Sequence, residues 1–261
     1  MLRIIVCIKQ AIDVTQIRAD PATRQLITTD APRKISDIDK NALEEAIRIK
    51  EKQGSEIIAI TVSEDNAKTA LREALAMGAD KAYHLNDQVF QNTDTRVTSL
   101  ILAEAIKKIG AFDLLLCGET SIDSFSGITS QRIAERLGIP LIMYARSINF
   151  EDSMVTAERV LEDRNEMVRA KTPVLITVIK GINEPRIPSL MAIMKASKKE
   201  IVLWNAEALG LLKEKLVSTL EILEVLAPKM ERRKIVIKGE NPADIADKLA
   251  KTLIQDGVVG R

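Results

Sequence analysis

Residues 113–131 read DLLLCGETSIDSFSGITSQ, and this stretch decides the fold. It opens as a short apolar run, passes through a loop of Gly, Ser, Thr and Asp, and then enters a helical pattern. That order predicts a buried strand, a polar elbow and a helix start. In an open parallel sheet, ligands sit beyond the carboxyl ends of the strands, where such elbows lie. A helix N-terminus also presents unpaired N–H groups and partial positive charge, which suits a phosphate.

The flanking sequence repeats the strand–helix order. Residues 3–9 (RIIVCIK), 55–62 (SEIIAITV) and 173–179 (PVLITVI) are nearly continuous apolar runs, as expected of parallel strands buried on both faces, and residues 81–85 predict a shorter strand. Between them, residues 39–53, 64–77, 93–109 and about 127–137 have helical periodicity, and each run is closed by a glycine (Gly54, Gly78, Gly110 and Gly138). Alternation of this kind predicts a doubly wound, mainly parallel α/β sheet with right-handed crossovers.

Residues 10–29 are polar, contain Asp20-Pro21 and predict an extended loop or short hairpin. After Pro140 the texture changes, and residues 148–155 and 158–169 predict two antiparallel strands. The tail predicts a helical stretch over 209–226, a strand over 234–238 and a last helix over 242–256, started by Asn241-Pro242.

The balance of 38 basic against 37 acidic residues gives no reason to expect a nucleic-acid or membrane partner, and 3% aromatics leave little for base stacking. Two cysteines are too few for a disulfide framework or a zinc site, and one histidine, His84, removes most nucleophile–histidine schemes. No catalytic residues and no metal ligands are assigned. The first residues are already strand-like and carry no signal-peptide pattern, so a cytoplasmic chain is expected.

The elbow offers hydroxyls at Thr120, Ser121, Ser124, Ser126 and Thr129, a carboxylate at Asp123, and small backbone at Gly118 and Gly127. Such a set can wrap a phosphate, and it can equally be an ordinary polar strand-to-helix loop; no Walker-type or G-x-G-x-x-G pattern decides between them. Asp37 and Asp39 read first as helix caps and second as residues approaching the same crevice. Glu158, Glu162, Asp163 and Glu166, mixed with Arg159, Arg164 and Arg169, predict cross-strand pairing. Leu190, Met191, Ile193 and Met194, beside Lys195, Lys198 and Lys199, are too apolar for a plain solvent loop: they read first as packing back onto the domain and second as an exposed anchor with a basic rim.

Residues 159–177 (RVLEDRNEMVRAKTPVLIT), with residues 183–190 (NEPRIPSL), Ile193-Met-Lys-Ala196 and Lys198-Lys199, resemble the electron transfer flavoprotein beta subunit family. Residues 74–80 (ALAMGAD) and 43–46 (LEEA) also fit, so the resemblance runs through nearly the whole chain.

The resemblance implies an adenine-nucleotide-hydrolase-like α/β domain over 1–200, which includes a recognition loop at 183–199. Residues 201–261 would form an extension packing on a larger alpha subunit or back on the domain. It implies an electron carrier rather than an enzyme, passing electrons from acyl-CoA or other flavin dehydrogenases to a quinone reductase or another acceptor. The redox FAD is shared with the alpha subunit. The beta subunit itself would hold AMP or, in a bifurcating branch, a second FAD. The nucleotide site carries over to Cys7, Lys9, Ser36, Asp37, Ile38, Asp39, Thr61, Val62, Gly118, Glu119, Thr120, Ser121, Asp123, Ser124, Ser126, Gly127, Ile128 and Thr129. Leu190 matches the leucine that anchors the carrier on its dehydrogenase, with Met191, Ile193, Met194 and Lys195 around it.

The chain departs from the family pattern in places. Phe125 stands where an acidic residue is frequent, Arg164 replaces a usual Gly, Val160 stands where Glu is often found, and Val14 occupies an aromatic position of some members. The departure in the elbow motivates an alternative, a stand-alone adenine-nucleotide-binding protein without electron transfer.

Overall fold

The computed structural model describes residues 2–63, 67–229 and 234–259. Its centre is β1 (Leu2–Cys7), whose side chains alternate between two apolar layers. Ile4 and Val6 enter one core and Ile5 the other. The same alternation runs through β6 (Ser55–Val62), with Ile57 and Ala59 against Ile58 and Ile60, and through β8 (Leu114–Gly118), with Leu114 and Leu116 against Leu115 and Cys117. A continuous apolar run is what a strand covered on both faces requires.

α1 (Asp37–Gln53) and α2 (Lys68–Met77) cover the first face, while α3 (Thr95–Ile109) and α4 (Thr129–Leu137) cover the second. The glycine stops fall at Gly54, Gly78, Gly110 and Gly138, as expected. The helix predicted from residue 64 runs from Lys68; residues 64–66 lie outside the described residues.

From β1 the chain moves outward through parallel pairings to β6 and then β7 (Lys81–Leu85), and returns to β8 on the other side of β1. The order therefore reverses between β1 and β8. The short strands β2 (Gln10–Ile12) with β5 (Arg33–Ile35), and β3 (Arg18–Ala19) with β4 (Leu26–Ile27), form two small antiparallel ribbons in the long first connection.

Beyond β8, the expected pair of antiparallel strands is a three-stranded meander: β9 (Leu141–Glu151), β10 (Met154–Val160) and β11 (Asn165–Lys171). The expected break at 156–157 lies inside a strand. The true turns are at 152–153, where Asp152 and Ser153 take left-handed backbone conformations, and at 161–164, closed by Leu161 N–H donating to Arg164 C=O at 2.8 Å. β12 (Val174–Val178) then inserts parallel between β9 and β8.

β13 (Ile201–Trp204) adds to the far edge beside β7. The helix expected over 209–226 is absent. That segment holds one short 3-10 turn, Lys213–Leu216, and otherwise runs irregularly, with Val217, Leu220, Ile222, Leu223 and Val225 exposed. Its apolar content follows no helical stripe that the sheet can bury. It is tied down at Asp94, whose carboxylate accepts from Thr219 N–H at 2.8 Å and from the Thr219 hydroxyl at 3.0 Å. The strand expected over 234–238 is also absent: among the described residues no strand pairs with this segment, and Ile235 and Val236 are exposed. The last helix, α6 (Pro242–Gln255), begins at the predicted Asn241 cap.

Candidate functional site

The reversal between β1 and β8 opens a crevice at their carboxyl ends, the place where doubly wound sheets bind ligands. Asp39 spans it. Its Oδ2 accepts from Lys9 N–H at 2.8 Å and its Oδ1 from Gly118 N–H at 3.0 Å, so one carboxylate satisfies the orphan amides of two neighbouring strand ends. Gly118 is required there, because a Cβ at this position would lie 2.5 Å from Asp39 Oδ1. Burial raises the Asp39 carboxyl to a pKa of about 7, against the opposing pull of those two backbone donors.

This geometry corrects the reading of Asp37 and Asp39 as helix caps. The cap position belongs to Ser36, which makes no side-chain cap bond, and α1 starts two residues earlier than predicted. Asp37 pairs with Lys34 on the outside, at 3.1 Å. Ser36 instead serves the elbow: its backbone N–H donates to Lys9 C=O at 2.9 Å and its Oγ accepts from Ile122 N–H at 3.3 Å.

The elbow, residues 119–128, folds over the same spot. Lys9 Nζ reaches Asp123 Oδ1 at 2.6 Å, with Ser121 Oγ at 3.4 Å and Ser124 Oγ at 3.3 Å. Burial pushes the Asp123 carboxyl up, but the bond and charge of Lys9 outweigh it and hold the group below its usual range. Burial alone raises Glu119. Gly127 supplies a left-handed turn, and its C=O accepts from Gln131 Nε2 at 2.6 Å. Ser126, Ile128 and Thr129 lie further along, at the entry to α4.

Of the site residues expected from the sequence, Lys9, Ser36, Asp39, Gly118, Ser121, Asp123 and Ser124 are joined by direct bonds. Cys7 and Cys117 stand side by side at the ends of β1 and β8. The neighbouring Cys7 thiol, with burial, holds the Cys117 thiol well above its usual range. Ile38 packs in the core, and Thr61 and Val62 end the adjacent strand β6. Thr61 Oγ1 and Thr120 Oγ1 are buried and have no hydrogen-bond partner among the described residues. Two hydroxyls so placed fit a ligand rich in hydrogen-bonding groups, as a nucleotide is.

The second candidate surface is α5 (Leu190–Ser197), started by the Ser189 side chain accepting from Ala192 N–H at 3.2 Å. The packing expected of its apolar residues is not found. Leu190 is 74% exposed, and Met191, Ile193 and Met194 are also exposed; Ala196 alone is buried within the helix. The helix is short and packs on α2 through a narrow face, with Ala196 in the core, which leaves its larger apolar side chains outside.

The anchoring of the segment before α5 to α1 was not foreseen in the sequence. Arg186 bonds Glu44 through Nε at 2.8 Å and Nη2 at 3.0 Å, and Glu51 through Nη1 at 2.6 Å, while Asn183 and Asn41 exchange side-chain-to-backbone bonds of 2.8 and 3.0 Å. Glu44 is almost wholly buried. The available signal was an arginine fixed between Pro185 and Pro188, together with glutamates seven residues apart on one helix face. At the other end, Arg72 donates to the C=O groups of Ala196 and Lys199, closing the C-terminus of α5.

The electron transfer flavoprotein domain family matches residues 23–209. An electron transfer flavoprotein subunit beta from Thermoanaerobacterium thermosaccharolyticum is 41% identical over 91% of this chain and 93% of its own length. The chain belongs to the electron transfer flavoprotein beta subunit family. Caffeyl-CoA reductase-Etf complex subunit CarD of Acetobacterium woodii is 36% identical over 99% of this chain and 100% of its own, and Protein FixA of Sinorhizobium fredii is 35% identical over 80% and 76%. Members of the family are electron carriers. Among the described residues, no helix is long and apolar enough to cross a membrane.

In this family member, the acidic and basic groups of the meander pair across strands, as the sequence predicted. Arg159 bonds Glu166 at 2.7 and 2.9 Å in direct register, and Arg164 bonds the other oxygen of Glu166 at 2.8 Å.

Proposed function

We propose that this chain forms a heterodimer with an electron transfer flavoprotein alpha subunit and carries electrons from flavin dehydrogenases to a quinone reductase or another acceptor. The crevice at Asp39, Lys9 and the elbow holds AMP. The observation that carries the AMP assignment is the pair of buried, partnerless hydroxyls of Thr61 and Thr120 at the strand ends beside that crevice. Lys9, Ser121 and Ser124 would face the phosphate, and the backbone around Gly118 and Gly127 would shape its seat. Asp39 holds the strand ends in place. FAD, shared with the alpha subunit, supplies the redox chemistry when bound.

Docking to the dehydrogenase uses Leu190, with Met191, Ile193, Met194 and the basic Lys195 around it. Burying one leucine contributes only ~1.5–3 kcal/mol, which suits a contact that must form and release quickly. The exposed apolar segment 217–225 supports packing of residues 201–261 on the alpha subunit.

Co-expression with an alpha subunit, followed by extraction of bound ligands, tests the proposal. One FAD and one AMP per heterodimer is the expected result, and a colourless monomer with no partner would sink it. The same extraction separates this from a second reading, FAD in place of AMP. Two FAD per heterodimer would establish that reading instead.

A further inference from the structure

Asp123 occupies the position relative to Lys9 that an anionic ligand would take. Lys9 is fixed at its backbone by Asp39, and its side chain crosses to the elbow, where Asp123 Oδ1 lies 2.6 Å from Nζ. The Ser121 and Ser124 hydroxyls lie 3.3–3.4 Å from the same nitrogen and 2.8 Å from each other. A lysine ammonium with two serine hydroxyls is a donor set for a phosphate oxygen. Here it is turned onto a carboxylate of the same loop. The Asp123 side chain is 18% exposed and that of Lys9 43%, so the carboxylate is sheltered while the ammonium stays open to solvent and to an incoming anion.

Two anions cannot share one ammonium at this distance without repulsion. A phosphate that uses Lys9 therefore competes with Asp123 for it. We infer that Asp123 is an internal stand-in for phosphate, a specificity-determining residue that sets the affinity of the crevice for phosphorylated adenine nucleotides by competing with them for Lys9. The inference rests on the nucleotide reading of the crevice and goes beyond it. It assigns Asp123 an opposing role, whereas a simple cradle residue would support binding.

The charge balance points the same way. Asp39 is the further carboxyl that senses both members of the ion pair, and Lys9 is the cation bound to Asp123. Asp123→Asn keeps the shape of the side chain, removes its charge and leaves Lys9 available. A nucleoside without phosphate makes no demand on Lys9 and should not sense the change.

The test is titration calorimetry of the full chain, with its partner subunit where that is required for solubility, using AMP and adenosine as separate ligands. Asp123→Asn should bind AMP on the order of tenfold more tightly than wild type, while adenosine shifts by less than about twofold. Lys9→Met, the second variant, should lose AMP affinity and leave adenosine unchanged, which keeps the test decisive should Asp123→Asn fold poorly. AMP affinity unchanged or weakened in Asp123→Asn overturns the competition. Equal tightening of AMP and adenosine also overturns it, because that result marks a loop loosened without regard to charge. Wild-type chain that binds neither ligand overturns the nucleotide reading and this inference together.

Discussion

Asp39 Oδ1 and Gly118 N–H meet at 3.0 Å at the carboxyl ends of β1 and β8, and the space for that contact exists only because residue 118 has no Cβ. Gly118→Ala would also press on the backbone of Ile38 and Asp39, at 3.1 Å. We expect this variant to lose ~1–3 kcal/mol of stability by overpacking and to lose nucleotide retention with it. Urea unfolding and ligand extraction check both. A variant with wild-type stability would show that Asp39 can retreat without cost.

The raised carboxyl of Asp39 gives stability a defined pH dependence. With its folded pKa near 7 and its unfolded pKa near the ordinary 3.8, the contribution is fully present below the lower value. It is lost as pH rises through the higher one. The free energy of unfolding should therefore fall from pH 5 to pH 7, by no more than about 1.4 kcal/mol per pH unit from this group, and level off above. Asp39→Asn should flatten that profile. An unchanged slope in the variant would assign the pH dependence elsewhere. Asp94 acts on the acid side with opposite sign. Burial works against it, but donors from Val97 and Thr219 lower it to about 2, so its contribution is present above 3.8 and lost below.

Arg186→Ala should cost ~1–3 kcal/mol, since it leaves the buried Glu44 carboxylate with a reduced set of donors. Glu51→Ala should cost less than ~1 kcal/mol because that partner is largely exposed. The sharper readout is hydrogen exchange, where residues 183–199 should lose protection in Arg186→Ala and keep it in Glu51→Ala. Equal protection in the two variants would remove Arg186 from its role as the staple.

Leu190→Ala should leave the unfolding midpoint within ~0.5 kcal/mol of wild type, as for an exposed side chain, and leave flavin content unchanged. Electron transfer from the dehydrogenase should slow severalfold through weaker docking. Wild-type reduction rates would exclude Leu190 as the anchor.

Cys117 should resist alkylation in the folded chain at pH 8, because burial and the Cys7 thiol disfavour its thiolate. Mass spectrometry after iodoacetamide treatment tests this, and rapid native labelling would contradict the side-by-side placement.

The parallel core was legible because its strands are apolar on both faces, and the glycine stops fixed where each helix ended. Strands 55–62 and 81–85 were read residue for residue. The meander was misdivided because its charged residues obscure the period, and because its two turns are built by Asp152-Ser153 and by the 161–164 segment without a glycine or proline. The tail was overread: an apolar stretch at 209–226 looks helical, but only Leu209, Leu211 and Leu216 pack on the second core, and residues 217–225 leave their apolar side chains exposed. In the site, the elbow and its serines were visible as composition. The roles of Asp39 and Arg186 were not, because each depends on contacts between segments far apart in sequence.

α1 connects the two surfaces more directly than the sheet does. Asp39 in its first turn bridges the strand ends, and Glu44 and Glu51 further along grip the segment that carries Leu190. A rise of about 1.5 Å per residue sets Asp39 and Glu51 about 18 Å apart along its axis. The helix contains neither glycine nor proline, so it has no built-in hinge. It works as a ruler: the crevice and the anchor leucine are held at a set spacing, and whatever docks at one end meets the other in a fixed register.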